Sequence, residues 1–237
     1  MGDHTLGMTD APDTARLLRL QSEAMKVIAD QLSSHERPLV AWSGGKDASV
    51  VMDLVNRLMS VPAYNDCGFM YERANADTQR TADERGWAVT YDHARSWQWL
   101  KAHDDMVFAE DSSLRSRFYS ANQQRGVRLH AKATGTDLMF FGRRHQENSI
   151  KSPVYLKDGR TQCHPIASWT TEDVWGYLRS CDFDVPWLYQ THHGRWFGYN
   201  KFTSVRASVI GGSSKLDCWN YVAEYDPTIT PQRLEQA

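Results

Sequence analysis

Between residues 39 and 58 the chain passes from an apolar run, through a glycine turn, into a second apolar pattern of different period. Leu39 to Trp42 reads as a short buried strand. Ser43, Gly44, Gly45, Lys46, Asp47, Ala48 and Ser49 follow. Val50, Val51, Leu54, Val55 and Leu58 then recur at helical spacing, so the turn feeds a helix that runs to about Met59. Strand, glycine turn and helix together make a phosphate cradle. Glycines let the backbone approach an anion and take positive φ. The unpaired N–H groups and the dipole of the helix N-terminus attract negative charge. Lys46 adds a full positive charge, and Ser43 and Ser49 add hydroxyl donors. A Walker A loop is excluded: Leu39 or Val40 lies where its first glycine is needed, and Asp47, not Ser or Thr, follows the lysine.

The rest of the chain supplies alternating elements around this unit. Residues 1–11 are polar and read as a disordered tail. Asp13 or Thr14 is placed to cap a helix to about Ser34, with Ala15, Leu17, Leu18, Leu20, Ala24, Met25, Val27, Ile28 and Leu32 giving it an apolar face. Beyond the phosphate turn, Cys67 to Tyr71 reads as a second strand. Asn75, Asp77 and Thr78 are candidate caps for a helix from Ala76 to Arg85. Trp87 to Tyr91 reads as a third strand and Trp97 to Ala102 as a short helix. Such alternation predicts a parallel sheet covered on both faces, with ligand at the carboxyl ends of the strands.

A basic helix is expected over residues 111–133, carrying Arg115, Arg117, Arg125, Arg128 and Lys132; a solvated face is the ordinary explanation for most of them. Leu138 to Phe141 is the next strand. It runs directly into Gly142, Arg143 and Arg144, which puts two guanidinium groups at the same sheet edge as the phosphate turn. Arginine suits phosphate because its planar fork binds two oxygens at once. Lys157-Asp158-Gly159 marks a hairpin turn. Thr170 or Thr171 is placed to cap a helix through Leu178, with Glu172 and Asp173 in its first turn. Past Pro186 only a short helical piece, around Ser204 to Val209, and a polar tail are expected. The domain plan is therefore a tail over 1–11, a nucleotide-binding α/β domain over 12–180 and an aromatic-rich extension over 181–237.

Composition narrows the function classes. Net charge is only −2, which gives no global signal for nucleic acid and leaves room for a local basic patch. No apolar run approaches a membrane span, and no signal-peptide core opens the chain, so a cytoplasmic protein with no membrane partner is expected. Cys67, Cys163, Cys181 and Cys218 stand far apart without a CxxC pair, so neither a zinc nor an iron–sulfur site is expected.

The stretch Ser43-Gly44-Gly45-Lys46-Asp47-Ala48-Ser49 resembles the SGGKDS signature of the PP-loop ATP pyrophosphatases, with Ala48 as the departure. Gly142-Arg143-Arg144 with Glu147 and Ser149 resembles the GxRRxES segment of the PAPS-reductase-like branch. Pro165 to Leu178, with Trp169-Thr170-Thr171-Glu172-Asp173-Val174-Trp175, resembles its P-L-x-x-W-T-x-x-D-V-W segment. These segments also occur in the small subunit of ATP sulfurylase and in the DNA phosphorothioation ATP pyrophosphatases of the SspD and DndC types. The small size and missing cysteine cluster are closer to SspD. PAPS reductase carries a C-terminal Glu-Cys-Gly-Leu-His segment, and this tail lacks it; the surroundings of Cys218 do not match.

The resemblance implies an adenine nucleotide alpha hydrolase-like fold, ATP as substrate with Mg²⁺, and cleavage to AMP and pyrophosphate. An oxygen of an acceptor would be adenylated so that sulfur can replace it. On that reading Ser43, Gly44, Gly45, Lys46 and Ser49 hold the β- and γ-phosphates. Asp47 helps place Mg²⁺ or, as an equal alternative, caps the helix. Arg143 and Arg144 meet charge on the α-phosphate or acceptor, beside Gly142. Tyr71 lies near the adenine, and Trp42 is a candidate for lining the pocket, although core packing is the ordinary fate of a strand tryptophan. The most specific acceptor implied is the phosphodiester of DNA, met by basic residues between Arg115 and Lys151. Sulfur would then come from a separate donor such as a cysteine desulfurase. A homodimer is one assembly left open. Cys163, beside the His164-Pro165 turn, is the best-placed candidate persulfide carrier, against a plainer role as small apolar filler. The alternatives are a sulfonucleotide enzyme of the PAPS reductase kind, a non-catalytic nucleotide-binding subunit, and a nucleobase or tRNA thiolase.

Overall fold

The computed structural model describes residues 14–65, 72–92, 125–146, 150, 152–184, 191–192 and 195–196, with residues 72–74 and the last four described by backbone alone. Two compact units divide the chain: Met1–Ala63 with Thr134–Asp184, and Tyr64–Ala133 with Val185–Ala237.

The first unit is built around helix α2 (Lys46–Asn56), the helix that the phosphate turn feeds. Its sequence is apolar on nearly every side, and Val50, Val51, Met52, Leu54 and Val55 are all fully buried. A helix apolar all round must lie inside its domain. It packs on strand β1 (Pro38–Ala41), on α1 (Thr14–Leu32) and on α5 (Thr171–Ser180). From α1, Leu17, Leu20, Ala24 and Ile28 are buried, a narrower stripe than expected: Leu18, also read on the apolar face, is 61% exposed. Polar contacts fix these helices to one another. Arg16 of α1 forks onto Asp173 of α5 with bonds of 2.9 and 2.8 Å. In α2, the buried Asp53 receives the Tyr177 hydroxyl of α5 and, at 2.8 Å, Arg57 Nε.

Strand β1 pairs in parallel with β4 (Leu138–Phe140), and β4 pairs in parallel with β6 (Arg160–Cys163). The parallel sheet expected from the sequence ends at one margin in the hairpin read at Lys157-Asp158-Gly159, where β5 (Val154–Lys157) runs antiparallel to β6. The reason is the two-residue turn between them. Asp158 at φ 53° and Gly159 at φ 71° twist the chain straight back on itself, as hairpin turns with two left-handed residues do. Because β1, β4 and β6 are mutually parallel, their carboxyl ends reach one edge together.

The second unit holds most of β2 (Ala63–Asn65), α3 (Glu72–Arg85), β3 (Val89–Tyr91), α4 (Arg125–Ala133) and the two-residue strands β7 (Thr191–His192) and β8 (Arg195–Trp196). Strand β2 was not read from the sequence: three residues after Pro62 are too few for an alternating pattern to show. The strand expected at Cys67 to Tyr71, the helix at Trp97 to Ala102, the first part of the basic helix and the piece at Ser204 to Val209 lie outside the described residues. Helix α3 starts at Glu72, so Asn75, Asp77 and Thr78 are interior and not caps. The Asp77 carboxylate is paired within the helix: Arg80 meets both Asp77 and Glu84, and Thr81 Oγ1 donates to the Asp77 carbonyl at 2.8 Å. Strand β3 begins at Val89, two residues later than expected. In α4, Arg128 and Lys132 face outward, as the solvated-face reading requires.

Candidate active site

The carboxyl end of β4 is brought against the start of α2 by a glycine. A Cβ on Gly142 would stand 2.5 Å from the backbone nitrogen of Ala48 and 2.5 Å from the carbonyl carbon of Asp47. No real Cβ tolerates such distances, so only glycine lets the end of β4 lie against the first turn of α2. Gly44 holds φ 74°, the left-handed conformation that the turn needs. Gly45 is the N-cap of α2 and supplies no side-chain bond, so the opening N–H groups of this helix are not closed by a capping side chain. Ser43 is exposed at the turn, and its Oγ lies 3.4 Å from the Gly45 nitrogen. That arrangement is a backbone nest with the helix dipole behind it, suited to phosphate.

Lys46 is only 3% exposed, and its Nζ is in contact with Asp47 Oδ2. The other carboxylate oxygen of Asp47 accepts from Arg144 Nε at 2.6 Å. Asp47 thus sits between two cations, and its side chain does not act as the helix cap. Arg144 has 0% exposure. Its Nη1 donates to Gln146 Oε1 at 2.8 Å and reaches the Trp169 carbonyl at 3.4 Å. Gln146 Oε1 also accepts from the backbone nitrogen of Thr171 at 3.2 Å. One polar chain therefore runs from the phosphate turn through the Gly-Arg-Arg segment to the start of α5. That start is itself held by a reciprocal capping box between Thr170 and Asp173. The desolvated Asp173 carboxyl is held below its ordinary range because Arg16 and Thr170 outweigh the burial that would raise it.

Arg143 takes a different position. It is half-buried, with its guanidinium 5.2 Å from the centroid of the Phe141 ring, a cation–π contact at the edge where β4 ends. Phe141 stacks on His164 at 5.6 Å, and His164 stacks on Tyr155 at 5.4 Å. The register explains this: Phe140 pairs with Cys163, so the next residue on each parallel strand, Phe141 and His164, lie side by side. His164 is completely buried, and its Nε2 lies 3.2 Å from the Tyr155 hydroxyl. Desolvation first, then the nearby Arg143 and His145 charges, push its pKa down to about 4, so the ring is neutral at pH 7.

The remaining candidates are placed as follows. Trp42 is 1% exposed and donates its indole N–H to Ser49 Oγ at 3.1 Å. It is a core residue that orients a buried hydroxyl in the first turn of α2. Tyr71, Glu147, Ser149 and Lys151 lie outside the described residues. Cys163 is fully buried, and burial pushes its thiol up to about 12. A persulfide carrier needs an accessible thiolate, so the small apolar filler is the reading that fits. Among the described residues no cluster of three His, Cys, Asp or Glu side chains is arranged to hold a metal. Gln146 and His164 were not among the sequence candidates. Gln146 stood inside a quoted motif but carries no charge to flag it, and His164 was read only as part of a turn.

A glycine nest, a buried lysine and two arginines stand together at the carboxyl edge of a mostly parallel α/β sheet, an arrangement suited to a phosphate group. The chain belongs to the phosphoadenosine phosphosulfate reductase domain family, which it matches over residues 37–222. Curated relatives include a protein named sulfate adenylyltransferase subunit 2 from Mycolicibacterium vanbaalenii, 23% identical over 78% of this chain and 68% of that protein. Its namesake in Aliivibrio fischeri is 20% identical over 96% of this chain and 70% of its own. Among solved structures, phosphoadenylyl-sulfate reductase from Candida auris aligns with a TM-score of 0.57 at 12% identity, covering 75% of this chain and 93% of that one. The NH3-dependent NAD synthetase of Campylobacter jejuni aligns with a TM-score of 0.54 at 16% identity, covering 70% and 74%. The fold is therefore the adenine nucleotide alpha hydrolase-like α/β fold.

Proposed function

We propose that this chain is an ATP pyrophosphatase that adenylates an oxygen of its acceptor. The observation that carries this reading is the turn itself: an uncapped helix N-terminus beside Gly44, with the buried Lys46 as its fixed charge. In the proposed step an acceptor oxygen attacks the α-phosphorus in line. The bond from that phosphorus to the oxygen bridging to the β-phosphate breaks, and pyrophosphate leaves with the electron pair. The protein contributes positioning and charge neutralisation. The Ser43 to Lys46 turn and Ser49 receive the β- and γ-phosphates. Arg143, at the rim of the same edge, meets charge on the α-phosphate or the acceptor. Arg144 and Asp47 hold the loop in place behind them. Mg²⁺ fits this site as an ion borne by the triphosphate, since it keeps several waters and needs only one or two carboxylates. Asp47 would offer such an ion only the Oδ2 that Lys46 now holds, its Oδ1 staying on Arg144, and the ion would neutralise charge on the departing pyrophosphate.

The acceptor we propose is the phosphodiester of DNA, with sulfur delivered by a separate protein such as a cysteine desulfurase and the work done in the cytoplasm. A second reading, sulfate as acceptor, is favoured by the names of the sulfate adenylyltransferase subunit 2 relatives. The test is incubation with α-labelled ATP, Mg²⁺ and each acceptor. AMP and pyrophosphate are the expected products. ADP with inorganic phosphate would overturn the reading, while tight binding of a sulfonucleotide with sulfite release would favour a reductase.

A further inference from the structure

The buried charges around Asp47 pose a problem that the proposed binding mode must solve. Lys46 is held by Asp47, yet it is the charge assigned to the phosphates. If Lys46 moved to a phosphate and Asp47 had no other counter-ion, a carboxylate with only 15% exposure would be left without an opposite charge. Breaking a buried pair in that way is far costlier than the pair is worth. The structure contains the remedy. Arg144, wholly buried, already bonds the other oxygen of the same carboxylate at 2.6 Å. Its guanidinium is itself fixed by the Gln146 side chain and the Trp169 carbonyl, so it stays where it is when the lysine moves.

We infer that Arg144 is a positioning residue whose task is to hold the charge of Asp47 so that Lys46 can be released to an incoming pyrophosphate group. This rests on the reading of the turn as a pyrophosphate site. The Lys46–Asp47–Arg144 set carries a net charge of +1. After the exchange, Asp47 and Arg144 form a neutral pair and Lys46 faces the anion, so no buried charge lacks a partner at either stage. Gln146 serves the same exchange at one remove, because it fixes the arginine fork to the start of α5. An arginine that contacted the pyrophosphate directly would predict no such recovery on removing Asp47, since deleting the neighbouring carboxylate cannot replace a lost phosphate contact.

Calorimetry with inorganic pyrophosphate in metal-free buffer tests this without turnover. Arg144→Gln should weaken binding about 10–100-fold, the effect of losing one charged contact to a ligand, because Lys46 stays on Asp47. Adding Asp47→Asn to that variant removes the trap, and affinity should return to within about threefold of the parent. Lys46→Ala sets the floor. If Arg144→Gln binds like the parent, or the double variant stays as weak as Lys46→Ala, the inference is wrong. Should Arg144→Gln alone fail to fold, the double variant, which replaces the ion pair by two amides, still decides between parent-like and floor-level binding. A parent protein that binds neither pyrophosphate nor ATP would remove the pyrophosphate reading itself, and this inference with it. A parent that binds, with variants that do not follow the pattern, removes the inference alone.

Discussion

Two side chains at one sheet edge should fail in different ways. Lys46 faces the β- and γ-phosphates in the proposed complex, in the ground state as well as during reaction. Lys46→Ala should therefore weaken ATP binding and abolish turnover while the protein stays folded, since Arg144 still holds the Asp47 carboxylate that the lysine leaves. Arg143 meets charge that grows as the α-phosphate is attacked, so Arg143→Ala should lower kcat about 10²–10³-fold with a smaller change in ATP affinity. Arg143→Lys should rescue only in part, because a point charge cannot replace a two-pronged contact. Calorimetry and pyrophosphate release on the same variants check both, and an Arg143→Ala protein with parent-like turnover would place the reaction elsewhere. His164 makes a separate prediction about pH. Its folded pKa is lowered to about 4 from an ordinary 6.5, so the unfolded chain takes up the proton first as pH falls. Its neutral form thus favours the fold above pH 6.5, and that advantage is lost between pH 6.5 and 4, at up to about 1.4 kcal/mol per pH unit. His164→Phe keeps the stack between Phe141 and Tyr155 and should flatten that part of the stability profile in denaturant titrations. An unchanged slope would mean that other groups cause it.

At the scale of elements, the contact between β4 and α2 depends on one missing methyl group. Gly142→Ala must push the strand end and the first turn of α2 apart, because the obstacles are backbone atoms of Asp47 and Ala48 and cannot swing aside. The expected result is a destabilisation of about 1–3 kcal/mol, the usual cost of overpacking, together with weaker pyrophosphate binding. Thermal melts and calorimetry check it; full retention of both would mean that the elements can separate freely. Gly142 was a sequence candidate for contact with the nucleotide, and the structure gives it a packing reason as well. Much of this level was legible beforehand. The strand–turn–helix unit, the α1 face, the Asp158-Gly159 turn and the cap at Thr170 all come from local periodicity or turn chemistry. What stayed hidden depends on long-range pairing. Strand β2 is too short to show a period, and the inward turn of Arg144 follows from where Asp47 and Gln146 meet in space. Sequence adjacency made Arg143 and Arg144 look alike, although one is half-exposed over an aromatic ring and the other is fully buried.

For the molecule as a whole, the acceptor is the question that charge can address. A chain with net charge −2 binds DNA only through a local basic surface; Arg128 and Lys132 on the outer side of α4 are exposed candidates for part of it. Binding through such residues releases counter-ions from the duplex, so its strength must fall steeply as salt rises, with a logarithmic slope of about −0.9 per phosphate neutralised. Sulfate, a small anion, releases no condensed counter-ion layer and should show only a shallow dependence. If DNA is the acceptor, duplex DNA should stimulate pyrophosphate release from ATP, and that stimulation should decline sharply between low and physiological salt. Arg128→Ala with Lys132→Ala should weaken DNA stimulation while leaving ATP affinity at the parent value, since neither residue belongs to the phosphate turn. Sulfate at the same ionic strength should have little effect. The measurement is pyrophosphate release across a salt series with each acceptor. Stimulation by sulfate with a shallow salt slope, and none by DNA, would exclude the phosphodiester and make this chain a sulfate-adenylylating enzyme.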